Sequence, residues 1–452
     1  MLRRGGPGAG VNTLVNIRPR VPLGNAADPI RQQVNVRPRP APTRPEATAS
    51  SAPHAPDYTL VMITLALLCI GVVMVYSASL MAAYKTYNDQ AYFFQRQLIW
   101  CALGLVVMLL LMRVPYQMWR RFSIVALLGS VALLIAVFIP GLSGNALGAT
   151  RWIELHNVKI GQPSELIKIT LVLYMADWLA RKGERVRDFA YGLAPFAIIL
   201  CLILGLIIKQ PDMGTAIVIG ATAFAIFFVS GANLRQLLPL TLLGAAGFLV
   251  LALESKYRQG RLSSFMNPWK DPTNTGYHVV QSLIALGDGG IRGLGLGASQ
   301  QKFWLPFPYT DSIFAIIGEE LGIIGGVGVL LLFLLLAYRG LRAARLAPDA
   351  FGSLLAIGIS CQLVIQALLN VAVVTSTLPF TGITLPMVSY GGSSMLVSFA
   401  SMGVLLNVTK YSRDRKEEAA EATASAHRRG RERWARVPSH RRAGFAAHAG
   451  RG

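Results

Sequence analysis

Residues 305–322 read LPFPYTDSIFAIIGEELG, and they mark the point where a long polar segment gives way to an apolar helix. From Leu251 to Ile313 the chain is polar and glycine-rich over about sixty residues. Loops of this length are uncommon and are usually functional or disordered. This one contains Trp, Phe, Tyr and paired glycines, so we expect it to be ordered and to deliver Asp311 to the membrane surface for chemistry.

The composition is that of a membrane protein. Of the 452 residues, 53% are hydrophobic and 14% are charged, below the roughly 25% of soluble domains. Repeated apolar runs of about 20 residues are long enough to cross a bilayer core of about 30 Å. The first run begins near Tyr58 after a polar arm, so we expect a retained anchor and no cleaved signal peptide. The four cysteines fall inside apolar runs without metal-ligand spacing, which predicts inert core residues.

The spacing of these runs predicts an all-α polytopic membrane protein with ten transmembrane helices and a long extracytoplasmic loop between helices 7 and 8. The ten predicted spans are 58–80, 95–112, 122–140, 163–180, 190–208, 213–231, 236–254, 312–337, 352–373 and 388–408.

Charge patterning predicts the orientation and the domain limits. Short loops on one side hold most of the Lys and Arg residues, which places both termini in the cytoplasm and the 255–311 loop outside. Residues 1–57 carry eight Arg against three acids, and residues 410–452 carry twelve Lys and Arg against five acids. We expect a disordered N-terminal tail over 1–57, a membrane domain over 58–410 and a basic C-terminal tail over 411–452. Attraction to anionic lipid explains these tails better than nucleic-acid binding.

The predicted outer loop before the fourth span holds several charged candidates. Arg151 and Lys159 lie in GATRWIELHNVKIGQPSELIKI, where Glu165 and Lys168 follow Pro163 at the start of the helix. One interpretation is structural, with Glu165 satisfying free helix amides and Lys168 snorkelling outward. The other is functional, because ionisable residues inside a spanning helix are costly.

The long outer loop adds Arg258, Arg261 and Lys302 as outer-surface cations. Its glycines do not make a phosphate loop, because the strand–turn–helix context is missing. They predict a permissive segment whose backbone approaches a ligand.

Two acidic sites have competing interpretations. Thr310 or Asp311 is a possible cap for the helix that follows, a role that is compatible with catalysis. Glu319 and Glu320 lie more than two turns further along, among Gly318, Gly322 and Gly325, and predict structural polar contacts.

Taken together, these segments resemble the SEDS family of bacterial cell-wall polymerases, which includes FtsW, RodA and SpoVE. The resemblance runs from about Tyr58 to Lys410 and rests on GATRWIEL, QPSELIK, QPDMGTA, GYHVVQSLIALGDGG, TDSIFAIIGEELG and LPMVSYGGSS, in family order. MVYSAS, YFFQRQ, MNPWKDP and GLGLGASQQK are more similar to FtsW or SpoVE than to RodA. Phe307, Tyr309 and Ser312 depart from the family pattern LPEAHTDF, and Asn370 opens a second departure.

The resemblance implies a peptidoglycan glycosyltransferase that polymerises lipid II at the outer leaflet, forming a β-1,4 bond and releasing undecaprenyl pyrophosphate. Asp311 is then the candidate base, and Glu165 orients Lys168. The candidates for binding the diphosphate or the rest of the substrate are Arg151, Lys159, Lys168, Arg258, Arg261, Gln281, Lys302 and Ser389. The sequence leaves open whether a divalent cation, Mg²⁺ or Mn²⁺, assists, and it shows no set of metal ligands.

The same resemblance implies a class B penicillin-binding protein as transpeptidase partner, other division-complex membrane proteins, and a place at the division septum. Three other functions remain open. In a lipid II flippase the same charges line a translocation path, and a RodA-type polymerase serves elongation. A noncatalytic division scaffold accounts for the tails but leaves the outer cations unexplained.

Overall fold

The structure, a computed structural model, describes residues 54–141, 143–146, 149–155, 158–254 and 256–412. The predicted disordered tails lie outside these residues, apart from a few at their inner edges. The described part of the chain is mostly helical. Its α-helices are α1 Tyr58–Tyr87, α2 Tyr92–Arg113, α3 Tyr116–Ala136, α4 Pro163–Lys182, α5 Ala194–Lys209, α6 Met213–Val229, α7 Leu234–Glu254, α8 Lys256–Met266, α9 Tyr277–Gly289, α10 Ile313–Leu346, α11 Ala350–Val374 and α12 Gly392–Lys410.

A helix occupies each of the ten predicted spans, and the protein is a multi-pass membrane protein. Within the described residues, seven helical segments are long and apolar enough to cross a bilayer. They are Tyr58–Tyr87, Tyr92–Arg113, Tyr116–Ala136, Phe189–Lys209, Ile313–Leu346, Ala350–Val374 and Gly392–Lys410. The segment Phe189–Lys209 joins α5 to a preceding π-helical turn, Phe189–Leu193. The number of ten crossings stays a prediction.

Two features of the structure were not anticipated. The polar stretch 255–311 is not a continuous loop, because α8, α9 and two short 3₁₀ turns form within it. Before α4, the strands β1 Ser143–Ala146, β2 Ala149–Leu155 and β3 Val158–Gly161 form an antiparallel sheet in the order β1-β2-β3. Glu154 faces Lys159 across the second strand pair. Antiparallel neighbours need only a tight turn between them, so the whole sheet fits into a short segment. Strands this short give little periodic signal.

Helix ends follow local sequence signals. Asp57 caps α1 by accepting from the Thr59 amide at 2.9 Å, and Asp349 caps α11 through the Gly352 amide at 3.1 Å. Pro163 opens α4, where its missing N–H costs nothing. Asp212 accepts from the Thr215 amide at 3.2 Å at the start of α6, which agrees with its interpretation as a turn residue.

The interior of the bundle is built around α11 and α12. α11 packs against α4, α6 and α10, and α12 packs along α2. Both inner helices are largely buried, whereas α2 and α3 turn many apolar side chains outward. An outward apolar face is what a helix exposed to lipid requires, because lipid tails solvate it as well as protein does.

The glycine-rich segment after α9 docks onto a break in α10. Gly322 interrupts α10 with φ of 68°, in the left-handed region that favours glycine. A Cβ at Gly322 would lie 2.4 Å from the Gly293 nitrogen. The Leu294 and Gly295 amides donate to the Glu319 and Glu320 carbonyls, both at 3.0 Å. The backbone of this glycine-rich segment therefore makes a close approach, but it approaches α10, whereas a ligand was predicted.

Candidate functional site

Asp311 lies in the turn directly before α10 and is half-buried. Thr310 Oγ1 donates to its Oδ1 at 2.9 Å, and Asn370 Nδ2 donates to its main-chain oxygen at 2.8 Å. α10 begins at Ile313, with Ser312 in the N-cap position and without a side-chain cap. Neither Thr310 nor Asp311 is therefore the cap of α10, and that interpretation is wrong. The carboxylate is held beside the helix end with one oxygen clear of the Thr310 contact.

Burial raises the pKa of the Asp311 carboxyl to about 6, against opposing effects from the Thr310 hydroxyl, backbone amides and Arg261. A raised pKa strengthens a carboxylate as a base while leaving it mostly ionised at pH 7. Perturbed carboxyl groups of this kind are typical of functional sites.

Arg261 lies close enough to Asp311 to lower the pKa of its carboxyl, and two rings lie beside that guanidinium. Arg261, on α8, donates from Nη1 to the Phe380 carbonyl at 3.1 Å, and its guanidinium lies 5.0 Å from the Phe380 ring centre. The His278 ring, on α9, lies 4.0 Å from the same phenyl ring. Arg261 and His278 thus share Phe380 as a platform, which fixes the guanidinium near the carboxylate.

His278 also contacts the residue after Asp311. Its Nε2 lies 2.8 Å from the Ser312 hydroxyl. Burial and the charge of Arg261 lower the pKa of His278 to about 4, so the imidazole is neutral near pH 7. A neutral ring can form this hydrogen bond without bringing a second positive charge to the site.

Aromatic residues anchor the turn from the other side. Tyr309 stacks on Phe93 with ring centres 4.4 Å apart, and its carbonyl accepts from the Tyr390 amide at 2.9 Å. Burial raises the pKa of the Tyr309 phenol to about 12, so it stays neutral. In this chain the departure at Tyr309 therefore serves as an apolar anchor for the turn.

Glu165 and Lys168 form a buried ion pair within α4. Lys168 Nζ lies 2.7 Å from Glu165 Oε2 and donates to Gln366 Oε1 at 2.8 Å. Only 3% of Lys168 is exposed, so the snorkelling interpretation is wrong. The predicted orientation of Lys168 by Glu165 is present as a direct contact.

α11 links this ion pair to Asp311. Gln366 contacts Lys168 and donates to the Thr384 carbonyl at 2.9 Å, while Asn370 donates to the Asp311 and Ile383 carbonyls at 2.8 and 2.6 Å. The two side chains are four positions apart, about 6 Å along one helix face. They clamp the same segment after α11, which connects the two parts of the site.

Three other predicted substrate-binding residues, Arg151, Lys302 and Ser389, make hydrogen bonds within the protein. Arg151 donates to the carbonyls of Gln210 and Pro211. Lys302 lies 3.8 Å from Glu320 and donates to the Gly297 carbonyl at 2.6 Å. Ser389 accepts from the Leu385 amide at 2.8 Å within a local turn. These contacts stabilise the loops, and the roles of Arg151, Lys302 and Ser389 in substrate binding stay predictions.

Three further candidates are only partly defined. Gln281 is half-buried on α9, three positions after His278 and close to the same face. The backbone of Lys159 lies in β3, and that of Arg258 lies in α8, three positions before Arg261. The side chains of Lys159 and Arg258 lie outside the described part of the structure.

Glu319 and Glu320 make the structural contacts predicted for them. Glu319 accepts from the Ser299 hydroxyl at 2.5 Å and from the amides of Gln300 and Gln301 at 2.7 and 3.1 Å. Glu320 accepts from the Ser77 hydroxyl at 2.5 Å. Among the described residues, no three His, Cys, Asp or Glu side chains gather in a metal-binding group.

Sequence reasoning missed His278, Gln366 and Phe380. His278 lies inside the motif GYHVVQSLIALGDGG, but its partner Ser312 is 34 positions away in the sequence. In sequence, Gln366 looks like any other polar residue on an apolar helix. The one signal that could have found it is the cost of burying an amide in a spanning segment, which marks such a residue as a functional candidate.

The fold and the site define a class of protein. It is a polytopic membrane protein in which a carboxylate with a raised pKa lies near an arginine, just before the first turn of a long apolar helix. The family model described as "Cell cycle protein", FtsW/RodA/SpoVE, matches residues 58–414. The chain belongs to this family.

Individual relatives agree with that assignment. The chain is 45% identical over 354 residues to the "Probable peptidoglycan glycosyltransferase FtsW" of Geobacter metallireducens, covering 78% of this chain and 94% of the relative. It is 44% identical to the "Stage V sporulation protein E" of Bacillus subtilis, covering 79% and 98%.

Solved structures show the same fold. A peptidoglycan synthase complex, described as coordinating polymerization and crosslinking, contains a chain that is 28% identical, with a TM-score of 0.65 and coverage of 78% and 98%. The rod shape determining protein RodA of Thermus thermophilus is 27% identical, with a TM-score of 0.60 and coverage of 80% and 98%.

Proposed function

We propose that this protein is a peptidoglycan glycosyltransferase that polymerises lipid II at the outer face of the bacterial cytoplasmic membrane. The observation that carries the proposal is Asp311, a half-buried carboxylate whose pKa is raised to about 6 and which lies within the field of Arg261. The names of the relatives support the reaction class, since the FtsW relative is called a probable peptidoglycan glycosyltransferase.

In the proposed reaction, Asp311 removes the proton of the acceptor sugar hydroxyl. The hydroxyl oxygen then bonds to the anomeric carbon of the donor, and the bond from that carbon to the diphosphate breaks. Undecaprenyl pyrophosphate leaves with the bonding electron pair, and the proton stays on Asp311 until it passes to solvent. A base with a pKa near the working pH is best suited to such a transfer.

Cations stabilise the leaving diphosphate in this proposal. Arg261 is preorganised by Phe380, and Arg258 lies one turn before it on α8, so position 258 is on the same helix face. A fixed guanidinium stabilises developing negative charge without reorganising during the reaction. Arg151 and Lys159, from the neighbouring sheet, remain candidates for the rest of the substrate. Among the described residues no three His, Cys, Asp or Glu side chains are placed to hold Mg²⁺ or Mn²⁺, so no step of this proposal passes through a metal ion.

Lys168 and Glu165 act at longer range in this proposal. Lys168 is occupied by Glu165 and Gln366, and Gln366 joins Asn370 in holding the segment beside Asp311. We therefore assign the pair a positioning role for Asp311 rather than direct contact with the diphosphate. Polar groups buried in a spanning bundle are well suited to fix one geometry, because they have few alternative partners.

The setting of the reaction is part of the proposal. Both termini lie in the cytoplasm, the 255–311 segment lies outside, and the protein works at the division septum with a class B penicillin-binding protein and other division proteins. The relation to a synthase complex supports such a partner. A cysteine near Asn274 should react with a membrane-impermeant reagent in intact cells, and one near Ala420 should not. Reversed labelling would overturn the orientation.

The decisive experiment uses the purified full chain and labelled lipid II, with glycan products separated on a gel. We expect polymer from the parent protein and none from Asp311→Asn. Transfer of lipid II across liposomes without polymer would instead support a flippase. Absence of both activities, with the protein folded, would favour a scaffold.

A further inference from the structure

A groove lies between the start of α5 and the start of α7, and residues of the Asp311 site take no part in it. It holds about 450 Å³, within the range of ligand-binding clefts. Its walls are mainly apolar and come from the π-helical turn, α5 and α7. They include Phe189, Leu193, Ala197, Pro239, Leu240 and Leu243.

Positive charge gathers at one end of this groove. Arg235 and Gln236 lie in the first turn of α7 and line it. Arg187 donates from Nε to the Gly231 carbonyl at 3.4 Å, which brings a second guanidinium to the start of the same helix. Both arginines are exposed, and the helix N-terminus adds partial positive charge.

Aromatic residues lie beside the cations, as at a membrane–water interface. Phe189 and Tyr191 are 64% and 59% exposed, and Lys182 Nζ lies 5.7 Å from the Tyr191 ring centre. Exposed aromatic side chains next to basic ones are typical of the headgroup level of a bilayer. Glu184 and Asp188 lie in the same segment, and the cations outnumber them.

The groove opens toward lipid because α7 leans away from the bundle. The main contacts of α7 among the described elements are with the π-helical turn and α8. Leu238, Leu242 and Leu243 are each more than 60% exposed. Phe189 and Leu243, which line the groove, are both exposed, so the groove is open on this side.

We propose that this groove binds one anionic phospholipid. An acyl chain would lie along the apolar walls, and the headgroup phosphate would contact Arg235 and Arg187. A hydrophobic helix from another protein would also satisfy the walls, but it would bring no anion to the two guanidinium groups. The combination of an apolar slot and a cationic end matches a phospholipid, as in basic pockets between transmembrane helices elsewhere. Bound lipid would hold the start of α7 against α5.

The test uses the full-length protein, purified in detergent and titrated with phosphatidylglycerol or phosphatidylethanolamine. Native mass spectrometry counts bound lipid, and thermal unfolding reports stabilisation, which follows from binding to the folded state alone. We expect one phosphatidylglycerol to bind at least tenfold more tightly than phosphatidylethanolamine. The double variant Arg187→Gln with Arg235→Gln should lose that preference.

Two controls separate this site from general charge effects. Arg342→Gln removes an exposed arginine at the end of α10 and should bind phosphatidylglycerol as the parent does. Ala197→Phe fills the groove without changing charge and should lose the bound lipid while eluting as a folded monodisperse protein. Equal binding of the two lipids, or an equal loss in Arg342→Gln, would overturn the proposal and leave the groove to a partner helix. These outcomes do not depend on polymerase activity.

Discussion

Two acidic clusters lie along the start of α10, and they differ in the hydrogen bonds that their carboxylates accept. Glu319 and Glu320 are almost fully buried and accept hydrogen bonds from Ser299, Ser77 and two backbone amides. Asp311 is half-buried, and its carboxylate accepts from the Thr310 hydroxyl at 2.9 Å. A carboxylate that accepts several hydrogen bonds from a loop holds that loop in place, whereas a carboxylate whose pKa is raised by burial keeps the capacity to take a proton.

The largest expected effect separates the two clusters directly. Asp311→Asn keeps the shape of the side chain but cannot accept a proton near pH 7, so the polymerisation rate should fall about 10²–10⁴-fold. Its thermal stability should stay near that of the parent, because Asp311 does not cap α10. The matched variant Glu319→Gln should instead lose about 1.5–3 kcal/mol of stability, the value of hydrogen bonds to a charged group. Parent-like turnover of folded Asp311→Asn would remove Asp311 as the base, and Glu165 would be tested next.

The basic partners of the two clusters should diverge in the same way. Arg261→Ala removes a cation held near Asp311, and the rate should fall tenfold or more, since charge-assisted contacts contribute about 1.5–3 kcal/mol. Lys302→Met removes the partner of Glu320 and should lower stability while folded protein keeps its turnover. Lipid II polymerisation per folded molecule measures the first effect, and thermal unfolding measures the second. A larger activity loss in Lys302→Met than in Arg261→Ala would reverse our assignment of the two cations.

The pH dependence follows from the pKa of Asp311, which burial raises to about 6. A general base must be deprotonated, so the rate should be halved near pH 6 and reduced about tenfold near pH 5. The folded-state pKa lies above the unfolded value of about 3.9, so protonation of this group favours the folded state. Loss of rate on acidification is therefore not unfolding caused by Asp311. Arg261→Gln should move the midpoint upward, and an unchanged midpoint would show that Arg261 does not act on Asp311.

The smallest expected effect concerns His278, which contacts Ser312 at 2.8 Å. Losing one neutral hydrogen bond costs about 0.5–1.5 kcal/mol, so His278→Leu should lower kcat about 2- to 10-fold with little change in KM. His278→Gln can bond to Ser312 and should recover most of that loss. Because His278 is neutral near pH 7, neither variant should add a new limb to the pH profile between 5 and 8. The matched variant Ser299→Ala should affect stability without lowering kcat. No recovery in His278→Gln would argue against a positioning role.

Much of the fold was predictable because a helix in a bilayer requires a long run of apolar residues, which is visible in the sequence. A helix needs about 20 apolar residues to cross the membrane, and each of the ten predicted spans coincides with a helix. The helices of the 255–311 segment were harder to predict, because α8 is polar and weakly periodic, and α9, although amphipathic, is only 13 residues long and too short to cross a bilayer. The sheet before α4 was missed for the same reason.

Part of the site was also predictable. Asp311, Glu165 and Lys168 stood out because carboxylates and amines are rare beside or within spanning helices, and the spacing of Glu165 and Lys168 by three positions predicted their contact. The sequence by itself therefore determined the membrane class, the positions of the long helices, the family and the chemical groups available for reaction.

Tertiary structure alone decided which of those groups act together. Lys302 and Arg261 look equivalent in sequence, yet one pairs with Glu320 and the other lies beside Phe380 near Asp311. Only the fold brings His278 to Ser312, or Gln366 and Asn370 to the segment that flanks the carboxylate. The physical reason is that pKa, ion pairing and burial depend on distances of a few ångströms between residues far apart in the chain, and those distances exist only once the helices have packed.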